Sequence, residues 1–207
     1  MEVTKFEKSR VVSFSDAVFS IAMTLLVLEV AIPNSEEAMN EQLGTILANR
    51  IPSFIGLLVS FLVTALYWIA HMRIMRYVKE VSYSLLWLNI ILLLFIVLLP
   101  FSTGLYVKGF GAEAPFAFYC FNLSAIGFLN FLMIRYITKH EEELTSLIGK
   151  WEKVRALNTV FVWVLAGMLA FVLPMVSRFI FVLIFVIQPL IDRYFKKKKA
   201  ALENPES

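Results

Sequence analysis

Charge is scarce in this chain, and so is everything that would build a metal or disulfide framework. One cysteine, Cys120, lies inside an apolar block, which excludes an intramolecular disulfide. The two histidines, His71 and His140, stand in distant segments, so no metal-ligand cluster can be read from the spacing. Neither a Ser–His–Asp set nor a pair of neighbouring catalytic carboxylates stands out, and the expectation is a protein that is not an enzyme. Internal repeats, domain linkers and low-complexity segments are missing, so residues 1–207 are read as one domain. Charged residues make up 17% of the chain, where a soluble domain carries about a quarter.

What the chain has in their place is hydrocarbon. Apolar residues are 59% of the total, in long uninterrupted blocks, and the mean hydropathy is +0.77. This pattern predicts an all-α, polytopic membrane protein, with the lipid bilayer as its solvent. Six spans are expected, near Val11–Ile32, Ile51–Met72, Leu85–Leu105, Pro115–Ile134, Leu157–Val176 and Phe179–Tyr194. Apart from Pro189, prolines are expected at span ends, where a missing N–H costs least. The first apolar run is too long for a signal core and has no small-residue cleavage pattern, so it reads as retained. With six spans and the N-terminus inside, only Arg50, Lys108 and Arg178 of the 19 basic residues face outward. That asymmetry predicts cytoplasmic termini and a basic cytoplasmic tail at 196–207. The pI near 9 does not imply nucleic acid, because the basic residues flank apolar spans. Two loops read as interfacial helices. One carries Leu43, Ile46 and Leu47 on one face. The other opens with a capping-box pattern, Thr138-x-x-Glu141, and spaces Leu144, Leu147, Ile148 and Trp151 helically.

The first span, "RVVSFSDAVFSIAMTLLVLEVAIP", is too polar for a plain anchor. At 100° per residue, Ser13, Ala17, Ser20, Thr24, Val27 and Ala31 form a small and hydroxylated stripe. About 90° around, Phe14, Ile21, Leu25, Leu28 and Ile32 form a bulky one. Asp16 points away from both. Six residues separate it from Arg10, the wrong spacing for a pair on one helix. An acid at that depth marks a wet cavity or a buried polar network. Trp68 and His71 share a face near the end of the second span, and a hairpin of spans two and three brings His71 and Asn89 to the level of Asp16.

Arg10-x-x-x-Phe14-Ser15-Asp16 resembles the RxxxFSD signature of the transmembrane protein 175 family, which comprises endosomal and lysosomal potassium channels of animals and their prokaryotic homologues. Trp68-x-x-His71, Asn89 and "LLPFSTGL" extend the resemblance over most of the chain. It departs at span two, where His71-Met72 stands in place of a paired histidine. The resemblance implies a homotetramer of prokaryotic type in the cell membrane, with the first helices lining a central pore. It places the constriction at Ile21, further layers at Leu25 and Leu28, and a threonine layer at Thr24. Arg10, Phe14, Ser15 and Asp16 would tie that helix to its neighbours, with Trp68, His71 and Asn89 as contacts. The only ligands implied are monovalent cations, potassium foremost, with no resident cofactor or metal. The architecture is a non-canonical one, since no TVGYG filter and no arginine-rich sensor is present. A proton-coupled transporter using Asp16 and His71 is the alternative, although such folds tend to show repeats and broken helices.

Overall fold

The computed structural model describes residues 5–30, 39, 42–140 and 146–203. In hydrocarbon each backbone N–H and C=O must be satisfied within its own segment, and the apolar runs accordingly fold as helices. Helix α1, Lys8–Leu25, tightens into a 3₁₀ turn over Leu26–Glu29. A short α2, Leu43–Asn49, precedes α3, Ile51–Met75. Helices α4, Tyr83–Val97, and α5, Leu99–Lys108, follow with only Leu98 between them. Then come α6, Glu113–His140, and α7, Ser146–Leu169, followed by the short α8, Pro174–Ser177, and α9, Val182–Glu203. Among the described residues, four segments are long and apolar enough to cross a membrane: Lys8–Glu29, Ile51–Met75, Tyr83–Lys108 and Glu113–His140.

The centre of the protomer is α6, which packs along α7 and also against α3, α4 and α5. Helix α9 packs against α7. Helix α1 sits at the edge of the protomer against α3, α4 and α5. A two-residue antiparallel ladder, outside the all-helical expectation, pins its start. In it β1, Lys5–Phe6, pairs with β2, Val81–Ser82, in the register Lys5↔Ser82 and Phe6↔Val81. The Ser82 hydroxyl then accepts from Leu85 N at 3.3 Å and caps α4, so the ladder sets the beginnings of α1 and α4 side by side.

Several sequence expectations are corrected. Pro100 does not end the third span. It divides the apolar run into α4 and α5, because a proline inside a helix removes one hydrogen bond and crowds the preceding turn. Thr138 does not open a surface helix. It lies within the last turns of α6 and donates back to Ile134 O at 2.6 Å. Glu141 and Leu144 fall outside the described residues, while Leu147, Ile148 and Trp151 belong to α7, which runs on into the apolar stretch expected as span five. That helix stops at Leu169, and Leu173, in front of Pro174, is non-helical (φ −135°, ψ 70°), as a residue before proline is steered away from the helical region. Helix α9 carries the run of four lysines as helix to Glu203. In the first loop Ile46 is buried, whereas Leu43 and Leu47 are exposed. Ala31 and Ile32, the last members of the two stripes on the first span, lie outside the described residues.

Candidate functional site

Helix α1 buries only one of its faces. Val11, Ser15, Phe19, Ala22 and, in the 3₁₀ turn, Leu26 recur at helical spacing and are packed against the rest of the protomer. Both stripes read from the sequence lie outside this face. Ile21 is 58% exposed, Leu28 68% and Phe14 59%, with Leu25 also exposed. Ser13, Ala17, Ser20 and Thr24 are exposed as well. Two of the hydroxyls on the small stripe are satisfied within the helix: Ser20 Oγ donates to Asp16 O and Thr24 Oγ1 to Ile21 O, each at 2.8 Å. A hydroxyl bonded back to its own helix adds no unpaired donor to an apolar surface.

Two polar anchors hold the buried face. In the first, Trp68 Nε1 of α3 donates to Asp16 Oδ1 at 2.8 Å. The second is a chain of three side chains from three helices. His71 Nε2 lies 2.7 Å from Asn89 Oδ1, Asn89 Nδ2 donates to Ser15 Oγ at 3.0 Å, and Ser15 Oγ donates to Val11 O at 2.8 Å. With the Asn89 amide so oriented, His71 Nε2 carries the proton and donates. Ser15, His71 and Asn89 are all essentially inaccessible to solvent. The Phe19 ring, its centroid 5.7 Å from that of His71, closes the cluster from the side of α1. The structure thus brings Ser15, Asp16, Trp68, His71 and Asn89 together and leaves Arg10 and Phe14 outside. Arg10 is exposed in the first turns of α1 and makes no hydrogen bond or ion pair among the described residues.

Sequence reasoning missed a second buried polar layer under α5. Thr103 Oγ1 donates to Ser60 Oγ at 3.0 Å, Ser60 lies 3.0 Å from the Tyr119 hydroxyl, and Asn122 Nδ2 donates to Ser102 Oγ at 3.2 Å. The hydroxyls of "PFST" were the available signal, since Ser and Thr inside a span are common helix-packing groups. At the far end of α1, Glu29 forms an ion pair with Lys108 at 3.1 Å, over Gly104, whose missing Cβ leaves room for the carboxylate. Beside Thr24 an open apolar groove of about 570 Å³ runs between α1 and α3, lined by Met23, Val27, Phe54 and Phe61 among others.

The model of the family described as "Endosomal/lysosomal potassium channel TMEM175" matches residues 10–100. That stretch opens on Arg10 and contains both anchors. Over this stretch the chain is similar to the TMEM175 family. A potassium channel of Streptomyces collinus is 35% identical over 99 residues, 48% of this chain and 47% of that protein. The match therefore spans about half the length of that relative. A potassium channel of a Chryseobacterium species is 26% identical over 191 residues, covering 92% of this chain and 96% of its own. In fold, the chain is similar to the crystal structure of a lysosomal potassium-selective channel TMEM175 homologue from Chamaesiphon minutus. The TM-score there is 0.76 at 23% identity, over 91% of this chain and 97% of the other.

Proposed function

We propose that this chain is one subunit of a homotetrameric, potassium-preferring cation channel with α1 of each copy around a central path. The observation that carries the reading is the asymmetry of α1. Its inner face is fixed by two polar anchors, while Ile21, Leu25 and Leu28 point away from the protomer. An apolar stripe of that size on a helix at the edge of a subunit fits either lipid or other copies of itself, and the groove beside Thr24 offers a seat for a neighbouring helix. Both relatives named above are called potassium channels, which favours passive conduction over a coupled transporter.

In this reading the subunit crosses a prokaryotic cell membrane six times as a single domain, with both termini in the cytoplasm. Four Ile21 side chains meet on the axis and close the path by excluding water, with Leu25 and Leu28 forming further apolar rings. Cation preference comes from the width of that constriction and from backbone and hydroxyl dipoles near Thr24. Asp16 and His71 hold α1 in place and carry no proton relay. The test is potassium flux into liposomes holding the purified protein. Ile21→Ala should raise basal flux several-fold with ohmic currents, and the protein should elute with the mass of four chains. Unchanged flux in Ile21→Ala, or a monomeric mass, overturns the proposal. Saturating, proton-stoichiometric transport would establish the transporter in its place.

A further inference from the structure

A second cavity lies on the opposite side of α3 from Trp68. Helices α3, α6, α7 and α9 enclose about 280 Å³ there, and its lining is divided in two. One end is charged and the mouth is apolar, formed by residues such as Leu66, Ile69 and Phe185, each exposed at the protomer surface. The charges cancel within the protomer. Arg73 pairs with Glu152 at 2.6 Å, with the Glu152 side chain 2% exposed, and Arg155 pairs with Asp192, which also accepts from Trp151 Nε1 at 2.8 Å. Two amides at the same site are left incomplete. Asn130, 4% exposed, has no partner for its Oδ1. Gln188 commits its Nε2 to Arg155 O at 3.3 Å and Thr159 Oγ1 at 3.1 Å, which leaves its Oε1 buried and unpartnered. Orphaned acceptors of this kind are uncommon in native proteins and call for a donor.

We infer that this cavity holds the uncharged, hydroxyl-bearing head of a membrane lipid of the acylglycerol class, its acyl chain leaving between Leu66, Ile69 and Phe185. Three observations select that chemistry. The paired charges sum to zero, and a phosphate or carboxylate head would have to pull an arginine from its acid and leave a buried carboxylate alone. A hydroxyl both donates and accepts, so it suits the Asn130 amide in either orientation as well as the Gln188 oxygen. At roughly 30 Å³ per water-sized group, the volume admits about nine or ten such groups, enough for a glycerol head and the start of one chain. The apolar mouth assigns the source to the bilayer and not to a free polyol.

The test uses the purified full-length protein and a monoacylglycerol carrying a photoreactive group in its chain, with labelled peptides mapped by mass spectrometry. Labelling should saturate on the peptides of α3 and α9 that hold Leu66, Ile69 and Phe185. Unlabelled monooleoylglycerol should displace it, whereas oleate and free glycerol at the same concentration should not. Asn130→Leu should weaken labelling about tenfold, the fold-change of one lost hydrogen bond to a buried group. Ala156→Phe should block labelling by filling the cavity. Equal displacement by oleate or by glycerol, or labelling spread without saturation over all the lipid-facing helices, overturns the assignment. So does wild-type labelling of a folded Asn130→Leu. If that variant does not fold, competition on the wild-type chain decides. Ion flux is not read in any arm, so this outcome is separate from that of the channel proposal.

Discussion

Trp68 and Asn89 both hold the first helix, by different chemistry and at different depths of burial. The indole N–H has one hydrogen to give and gives it to a carboxylate that keeps some contact with solvent. Asn89 is buried and uses both ends of its amide, one toward His71 and one toward Ser15. Water can replace the first partner more readily than the second. Trp68→Phe should therefore cost about 1–2 kcal/mol, the low end for a bond to a charged group. Asn89→Leu, which strands His71 and Ser15 together, should cost about 2–4 kcal/mol. Melting temperatures of the two variants in one detergent check the ranking, and a larger loss in Trp68→Phe would contradict it. The residue types of this cluster were legible in the sequence, since a polar side chain at span depth is costly without a partner. Which atom meets which was not. The bond from Trp68 to Asp16 depends on the rotation of α3 about its own axis, and the sequence of α1 does not encode that rotation.

At the scale of elements, close approach and buried charge make separate predictions. Gly56 of α3 faces Val107 of α5, and a Cβ there would overlap the valine methyl group. Gly56→Ala should destabilise by ~1–3 kcal/mol through overpacking. Adding Val107→Ala should restore much of that loss, and a double-mutant cycle by thermal melting measures the coupling. On α7, burial pushes the Glu152 carboxyl up from its ordinary value, against the opposing pull of Arg73 and Arg155. The folded state thus holds this proton more tightly than the unfolded one. Stability should fall as pH rises from the ordinary glutamate range through the raised value, and level off above it. Glu152→Gln should flatten that part of the melting-temperature profile against pH, and an unchanged slope would remove Glu152 as its source. Helix α7 also shows where pattern reading stopped short. Leu147, Ile148 and Trp151 were legible as a helical face, but the pattern could not tell a surface helix from the first turns of a longer one. Both Arg73 and Arg155 lie 5.2 Å from the Trp151 ring centroid, so tertiary contacts hold that segment in line with the span.

At the scale of the whole molecule, the question is what covers α1. A protomer that leaves both the bulky and the small stripe exposed on one edge helix offers each of them either to lipid or to further copies. Site-specific cysteines separate the two stripes, because the native Cys120 is buried and can be removed as Cys120→Ser. In that background Ile21→Cys should cross-link between subunits on oxidation if the bulky stripe surrounds the axis, since disulfides need Cα atoms within about 7 Å. Ala17→Cys should then cross-link less. The reverse order on denaturing gels would turn the small stripe toward the axis and move the constriction away from Ile21.

The sequence by itself determined that the chain lives in a bilayer, that its first helix is divided into stripes, and that Ser15, Asp16, Trp68, His71 and Asn89 need partners. Hydrocarbon imposes these conclusions, because it penalises every unpaired polar group and so makes each one conspicuous in an apolar run. Only the tertiary structure decided that α1 lies at the protomer's edge with one face anchored, that Pro100 splits a span, and that Glu152 is buried against Arg73. Those outcomes depend on how helices rotate and cross. Packing among distant segments sets that geometry, and a periodic pattern within one segment carries no information about it.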